Sequence, residues 1–169
     1  LPCPPRPAVP GLTLRFLTAA ILITTPALKA QAPTASAGLI TQKSNADFAT
    51  TLARIEPAIK GRGLFVMRVM DHAAAAAQFG RQLAANTVIL FGNPEIGSQV
   101  MACAPGAGID LPQKLQLHEK DGAVMVTYND PAYLKRRHAI EGCDEMLTTV
   151  AENLSAVADR IANGDNGEP

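Results

Sequence analysis

The sequence predicts a single compact α+β domain, a sheet of roughly four strands packed by helices. Three observations carry that reading. At 169 residues and 47% hydrophobic, the chain can bury one proper core. Segments with helical spacing alternate with short β-type runs, in the order α-β-α-β-α-β-β-α-α. Between two alternating runs sits Asp121-Gly122, the residue pair of a two-residue hairpin turn.

Residues 1–30 read as a signal peptide. Arg6 and Arg15 precede or open an apolar run over residues 14–23, which is shorter than the roughly 20 residues a spanning helix needs. Thr24-Thr25-Pro26 breaks the run, and cleavage is expected after Ala30 or as late as Ala37. The competing reading is a disordered or membrane-anchored N-terminus. Export makes the mature protein periplasmic or secreted, with no stable membrane insertion after cleavage. Cys3 leaves with the signal, so Cys103 and Cys143 remain in an oxidising compartment.

Residues 31–43 are rich in Ala, Thr, Ser and Pro and are expected to form a flexible lead-in. The domain proper is expected over residues 44–163, with a disordered tail at 164–169. Phe48, Leu52, Ile55 and Ile59 recur on one helical face, and Pro57 should weaken the last turn. A β-type run over 64–70 leads to Asp71, an N-cap for a helix through five alanines to about Leu83. Residues 87–91 are short and continuously apolar, as in a central strand. Asn93-Pro94 supplies an N-cap and a first-turn proline for a helix to about Cys103. The Asp121-Gly122 turn sets Leu117 opposite Val126 and Leu115 opposite Tyr128, with His118 on the other, exposed face. Asp130-Pro131 opens a short helix ending in Lys135-Arg136-Arg137-His138, where bases suit the C-terminus. The last helix carries Cys143, Leu147, Val150, Leu154, Val157 and Ile161 as an apolar stripe.

The quoted strings resemble one known family. Residues 64–72 (LFVMRVMDH), the alanine run, residues 88–94 (VILFGNP), 109–112 (IDLP), 121–130 (DGAVMVTYND) and Arg137-His138 are similar, in that order, to the domain of unknown function 302 family. The likeness covers roughly residues 45–163. It implies a small TT1751-like α+β fold that associates as a homodimer, and it implies no established activity. One departure is Gly97-Ser98-Gln99, where the family more often carries Gly-Thr-Pro.

Charge and motifs narrow the function further. Fifteen bases balance fifteen acids, and the bases of residues 1–30 leave the rest mildly acidic. That argues against nucleic acid as a partner, which calls for a basic footprint. No Gly-x-Ser-x-Gly, His-Glu-x-x-His, Cys-x-x-Cys or phosphate-binding loop is present. Neither a metal nor a cofactor is expected, because the histidines lack ligand spacing. The strand-to-helix turn at Phe91-Gly92-Asn93-Pro94 is where backbone N–H groups can face a ligand or anion. A cleft built from His72, Asn93 and Asp110 is the candidate site; the bland alternative is that these residues only shape turns and caps. His138 is expected to cap carbonyls.

Three functions stay open at this point. The leading one is a dimeric small-molecule or anion binding or accessory protein, leaning away from an enzyme. The rivals are a thiol-dependent or other unusual enzyme using Cys103, and a structural assembly module. A Cys103–Cys143 disulfide is the discriminating feature. Ile96, Val100 and Cys103 share a helical face and Cys143 heads the terminal stripe, so both sulfurs should point inward. Two buried free thiols are the alternative.

Overall fold

The computed structural model describes residues 34–36 and 38–164. The expected signal peptide, both expected cleavage positions and the residues beyond Gly164 lie outside the described residues. The strands are β1 (Thr34–Ser36), β2 (Leu39–Lys43), β3 (Phe65–Asp71), β4 (Asn86–Gly92), β5 (Gln113–Lys120) and β6 (Ala123–Asn129). The helices are α1 (Phe48–Ala53), α2 (Ile55–Lys60), α3 (His72–Ala77), α4 (Pro94–Cys103), α5 (Pro131–Arg137) and α6 (Asp144–Asn163), with a 3-10 turn over Pro105–Ile109. All strands pair antiparallel in one sheet, ordered β1-β2-β6-β5-β4-β3. This is an α+β fold, as predicted.

The hairpin forms in the predicted register, Leu117 opposite Val126 and Leu115 opposite Tyr128. Asp121 and Gly122 both take positive φ, 52° and 73°, which a tight primed turn requires. Asp47, Asp71, Asn93 and Asp130 each cap a following helix, accepting from backbone N–H groups of Thr50, Ala74, Glu95 and Ala132.

The sheet is wider than the four strands predicted, because part of the expected lead-in is structured. β2 pairs along β6 from Leu39–Asn129 to Lys43–Met125, and Thr41 Oγ1 meets Thr127 Oγ1 at 3.0 Å. Its partner strand is distant in sequence, so local composition gave no sign of it. Gly38, at φ 82°, turns β1 into β2, and a Cβ there would lie 2.4 Å from the Tyr133 ring. Two helices also differ. The first breaks at Arg54 into α1 and α2, since Pro57 has no N–H for the carbonyl of Ala53. The alanine helix stops at Ala77 rather than near Leu83, and none of its residues is buried. Propensity without docking does not propagate a helix.

The inward residues of the sheet, among them Ile89, Phe91, Leu115, Leu117 and Val126, pack with Ile59 of α2 and Val157 and Ile161 of α6. A second cluster joins Val100 and Ala104 of α4 to Ala107, Ile140 and Leu147. Cys103 and Cys143 are joined beside it, their Cα atoms 6.4 Å apart. β3 closes the far side of the sheet as an exposed edge, with Phe65, Met67, Val69 and Met70 all open to solvent.

Candidate functional site

A cavity of about 280 Å³ lies between the end of β4 and the helices α4, α5 and α6. Phe91 and Asn93 form its floor, and Ile96, Gly97 and Val100 one wall. Leu147, Val150 and Leu154 of α6 form the facing wall. The segment from Asp110 to Gln113 closes it, together with Leu134 and His138 at the end of α5.

The lining is overwhelmingly apolar, and its polar groups are few and specific. Asp110 Oδ2 lies 2.6 Å from His138 Nε2 and 3.5 Å from Arg137 Nε. Lys114 Nζ holds the closing loop by donating to the carbonyls of Asp110 and Pro112. Gln113 is 8% exposed and its Oε1 is buried with no hydrogen-bond partner. At the rim, the Arg62 guanidinium donates twice to Asn153 Oδ1.

Of the three predicted site residues, the structure brings Asn93 and Asp110 into the cavity lining and leaves His72 out. Antiparallel pairing is the reason. Phe65 lies opposite Gly92 and Asp71 opposite Thr87, so His72 follows the wrong end of β3, roughly 20 Å from Asn93 at about 3.4 Å per residue. His138 occupies the place expected of His72. Its backbone does form the C-cap of α5, while its ring turns to Asp110.

Two further lining residues escaped the sequence reading. Gln113 sits in phase with Leu115 and Leu117, a polar residue on the buried face, and that signal was present in the sequence. Met67 reaches the cavity because β3 shifts register between Val66 and Arg68, a bulge that re-aims one side chain. His118, expected to be exposed, is half-buried; its Nδ1 is enclosed without a partner. Burial, and secondarily the charge of Lys120, pushes its pKa below the ordinary 6.5.

Among the described residues no Ser, Thr, Cys, Lys or Tyr side chain lines the cavity beside the Asp110–His138 pair. Cys103 is tied to Cys143 and is not a free thiol in this state. Among the described residues no three His, Cys, Asp or Glu side chains converge as a metal-binding group, and no helix is long and apolar enough to cross a membrane.

Comparison with known proteins places this architecture. A solved structure, that of an uncharacterized conserved DUF302 protein from Bacillus stearothermophilus, superposes with a TM-score of 0.68 at 19% identity, covering 75% of this chain and 99% of that one. Among curated proteins, the fluoride-specific ion channels FluC 1 of Brucella suis biovar 1 (strain 1330) and of Brucella abortus biovar 1 (strain 9-941) are each 32% identical over 129 residues, 76% of this chain. The match takes in 51% and 48% of those proteins, so the chain spans about half the length of the curated relatives it matches. Residues 40–161 match the model described as "Domain of unknown function DUF302", and the chain belongs to that family.

Proposed function

We propose that the domain binds a small, largely apolar molecule in the cavity between α4 and α6, as a binding or accessory protein and not as an enzyme. One observation carries this: an apolar cavity of about 280 Å³ into which a few polar groups converge, the usual form of a small-molecule site. The test is a thermal-shift screen of small apolar compounds on the purified protein. A ligand at a hundredfold its Kd should stabilise by about 2.7 kcal/mol. If no compound raises the melting temperature, the proposal fails.

Export to a periplasmic or extracellular space is supported by the paired cysteines, since such bonds persist in oxidising compartments. Homodimer formation is supported by the β3 edge, where Phe65 is 60% and Val69 52% exposed. Two such edges can meet about a twofold axis, because antiparallel pairing joins each edge to itself. Light scattering of Val69→Lys beside the parent protein checks it: the parent is a dimer and the variant a monomer.

A role beside a membrane protein is favoured by the relatives. The chain matches about half of proteins named as fluoride channels, which fits an accessory domain carried next to a channel. Fluoride efflux from vesicles holding such a channel, with and without its matching half, measures that role.

A further inference from the structure

We infer that the Cys103–Cys143 bond is a thiol-exchange site, attacked at Cys103 by a dithiol oxidoreductase that docks on the apolar shoulder where α4 meets the 3-10 turn.

The two sulfurs are unequal. Cys103 is exposed, whereas Cys143 is half-buried against the cluster around Val100 and Leu147. A thiolate attacks a disulfide along the S–S axis, from beyond the sulfur it strikes. Attack on Cys103 therefore comes from the α4 side and attack on Cys143 from the α6 side. Between Glu95 and Asp110 the chain carries no charged residue. Around Cys143 stand Glu141, Asp144 and Glu145, all exposed, with only Asp144 paired to Lys135. Carboxylates there repel an incoming thiolate. Access and charge both favour Cys103.

The sulfur that then departs is Cys143. It is the N-cap of α6, a 20-residue helix, and makes no cap bond through its side chain, so it leaves at the positive end of a helix. Cys103 is the last residue of α4 and sits at a negative end, which makes it the poorer leaving group. The acids beside Cys143 oppose its departure. The Gln99 carbonyl oxygen, 3.8 Å from Cys143 Sγ, favours it by accepting from the thiol once formed.

One dithiol balances the exchange. The partner's first thiolate bonds to Cys103 Sγ as the Cys103–Cys143 bond breaks, and that electron pair passes to Cys143 Sγ, which takes a proton. The partner's second thiolate then closes the partner's own disulfide and releases Cys103, which takes another proton. This chain gains the electron pair that the partner loses, and the reverse steps form the bond.

The surroundings of the attacked sulfur point to a protein. Met101, Ala102, Pro105 and Ile109 are exposed, Ile109 by 75%. Met101 lies across the turn, its Sδ 3.2 Å from where a Cβ on Gly108 would sit. An uncharged apolar surface of this kind suits a protein partner better than a charged small thiol such as glutathione. Val100 and Met101 also line the cavity, so freeing Cys103 loosens one of its walls.

The probe is a thioredoxin variant that keeps only its attacking cysteine, applied to the native, oxidised protein. Peptide mapping of the trapped mixed disulfide should find it on Cys103 at least about tenfold more often than on Cys143. Ile109→Lys should slow that trapping about tenfold and leave attack by mercaptoethanol unchanged. Equal trapping on both cysteines overturns the choice of Cys103. Exchange that begins only in denaturant makes the bond structural and overturns the site. Equal slowing of mercaptoethanol overturns the docking surface. Calorimetric titration with butylbenzene should show several-fold weaker binding to the reduced protein, with its helical circular dichroism retained. This arm alone rests on the binding role proposed above. Equal binding in both states overturns the link between exchange and cavity, and a reduced chain without helical signal shows a structural bond and no switch. Binding in neither state overturns the cavity reading and leaves the exchange site standing.

Discussion

Asp110 Oδ2 and His138 Nε2 stand 2.6 Å apart, and that contact fastens the loop closing the cavity to the end of α5. Both side chains are mostly buried, so the pair is partly shielded from water and worth more than a surface ion pair. A double-mutant cycle of Asp110→Asn and His138→Gln, read by urea unfolding, should give a coupling of about 1–3 kcal/mol. If the two effects simply add, the contact does not hold the loop.

The disulfide should govern both stability and the cavity. Cys103 ends α4 and Cys143 precedes α6, the two helices that wall the site. With 40 residues between them, the bond should stabilise the fold by roughly 4 kcal/mol in the chain-entropy picture. Guanidinium unfolding with and without reductant measures it. A Cys103→Ala/Cys143→Ala variant as stable as the parent would show that the cross-link contributes nothing.

What the sequence made legible was local, and what it hid was not. Caps at Asp71, Asn93 and Asp130, the Asp121-Gly122 register and the α6 stripe all depend on neighbours within a few residues. β2 was hidden because its bonds run to β6, 86 residues away at Thr41–Thr127. The site was half legible for the same reason. Asn93 and Asp110 stand in loops whose chemistry is visible in sequence, whereas choosing His138 over His72 needs the antiparallel direction of β3. Gln113 was readable in principle, as a polar residue in phase with two leucines.

His118 should make the protein sensitive to mild acid. Its folded pKa lies below the ordinary 6.5, chiefly through burial. The unfolded chain therefore takes up the proton first as pH falls, so the His118 contribution is complete above about 6.5 and lost through the lowered folded value. Asp47 and Glu56 are also shifted down, but from ordinary values of 3.8 and 4.5, so their losses fall at lower pH. Unfolding free energies measured between pH ~7.5 and ~5 should decline, and His118→Gln should flatten that decline. An equal slope in both proteins would exclude His118 as the group responsible.

Gly97 separates stability from binding. It lies inside α4 and lines the cavity, and a Cβ placed there meets nothing within 4 Å. Replacing a helical glycine with alanine gains roughly 0.5–1 kcal/mol when no clash opposes it. Gly97→Ala should therefore raise the unfolding free energy by about that much. The same methyl group takes space from a small cavity, so the bound probe should be held less tightly. Thermal unfolding and calorimetric titration of the one variant read both effects. A more stable protein with unchanged affinity would mean that the ligand does not reach the α4 wall, and a less stable one that α4 needs its glycine for a backbone reason.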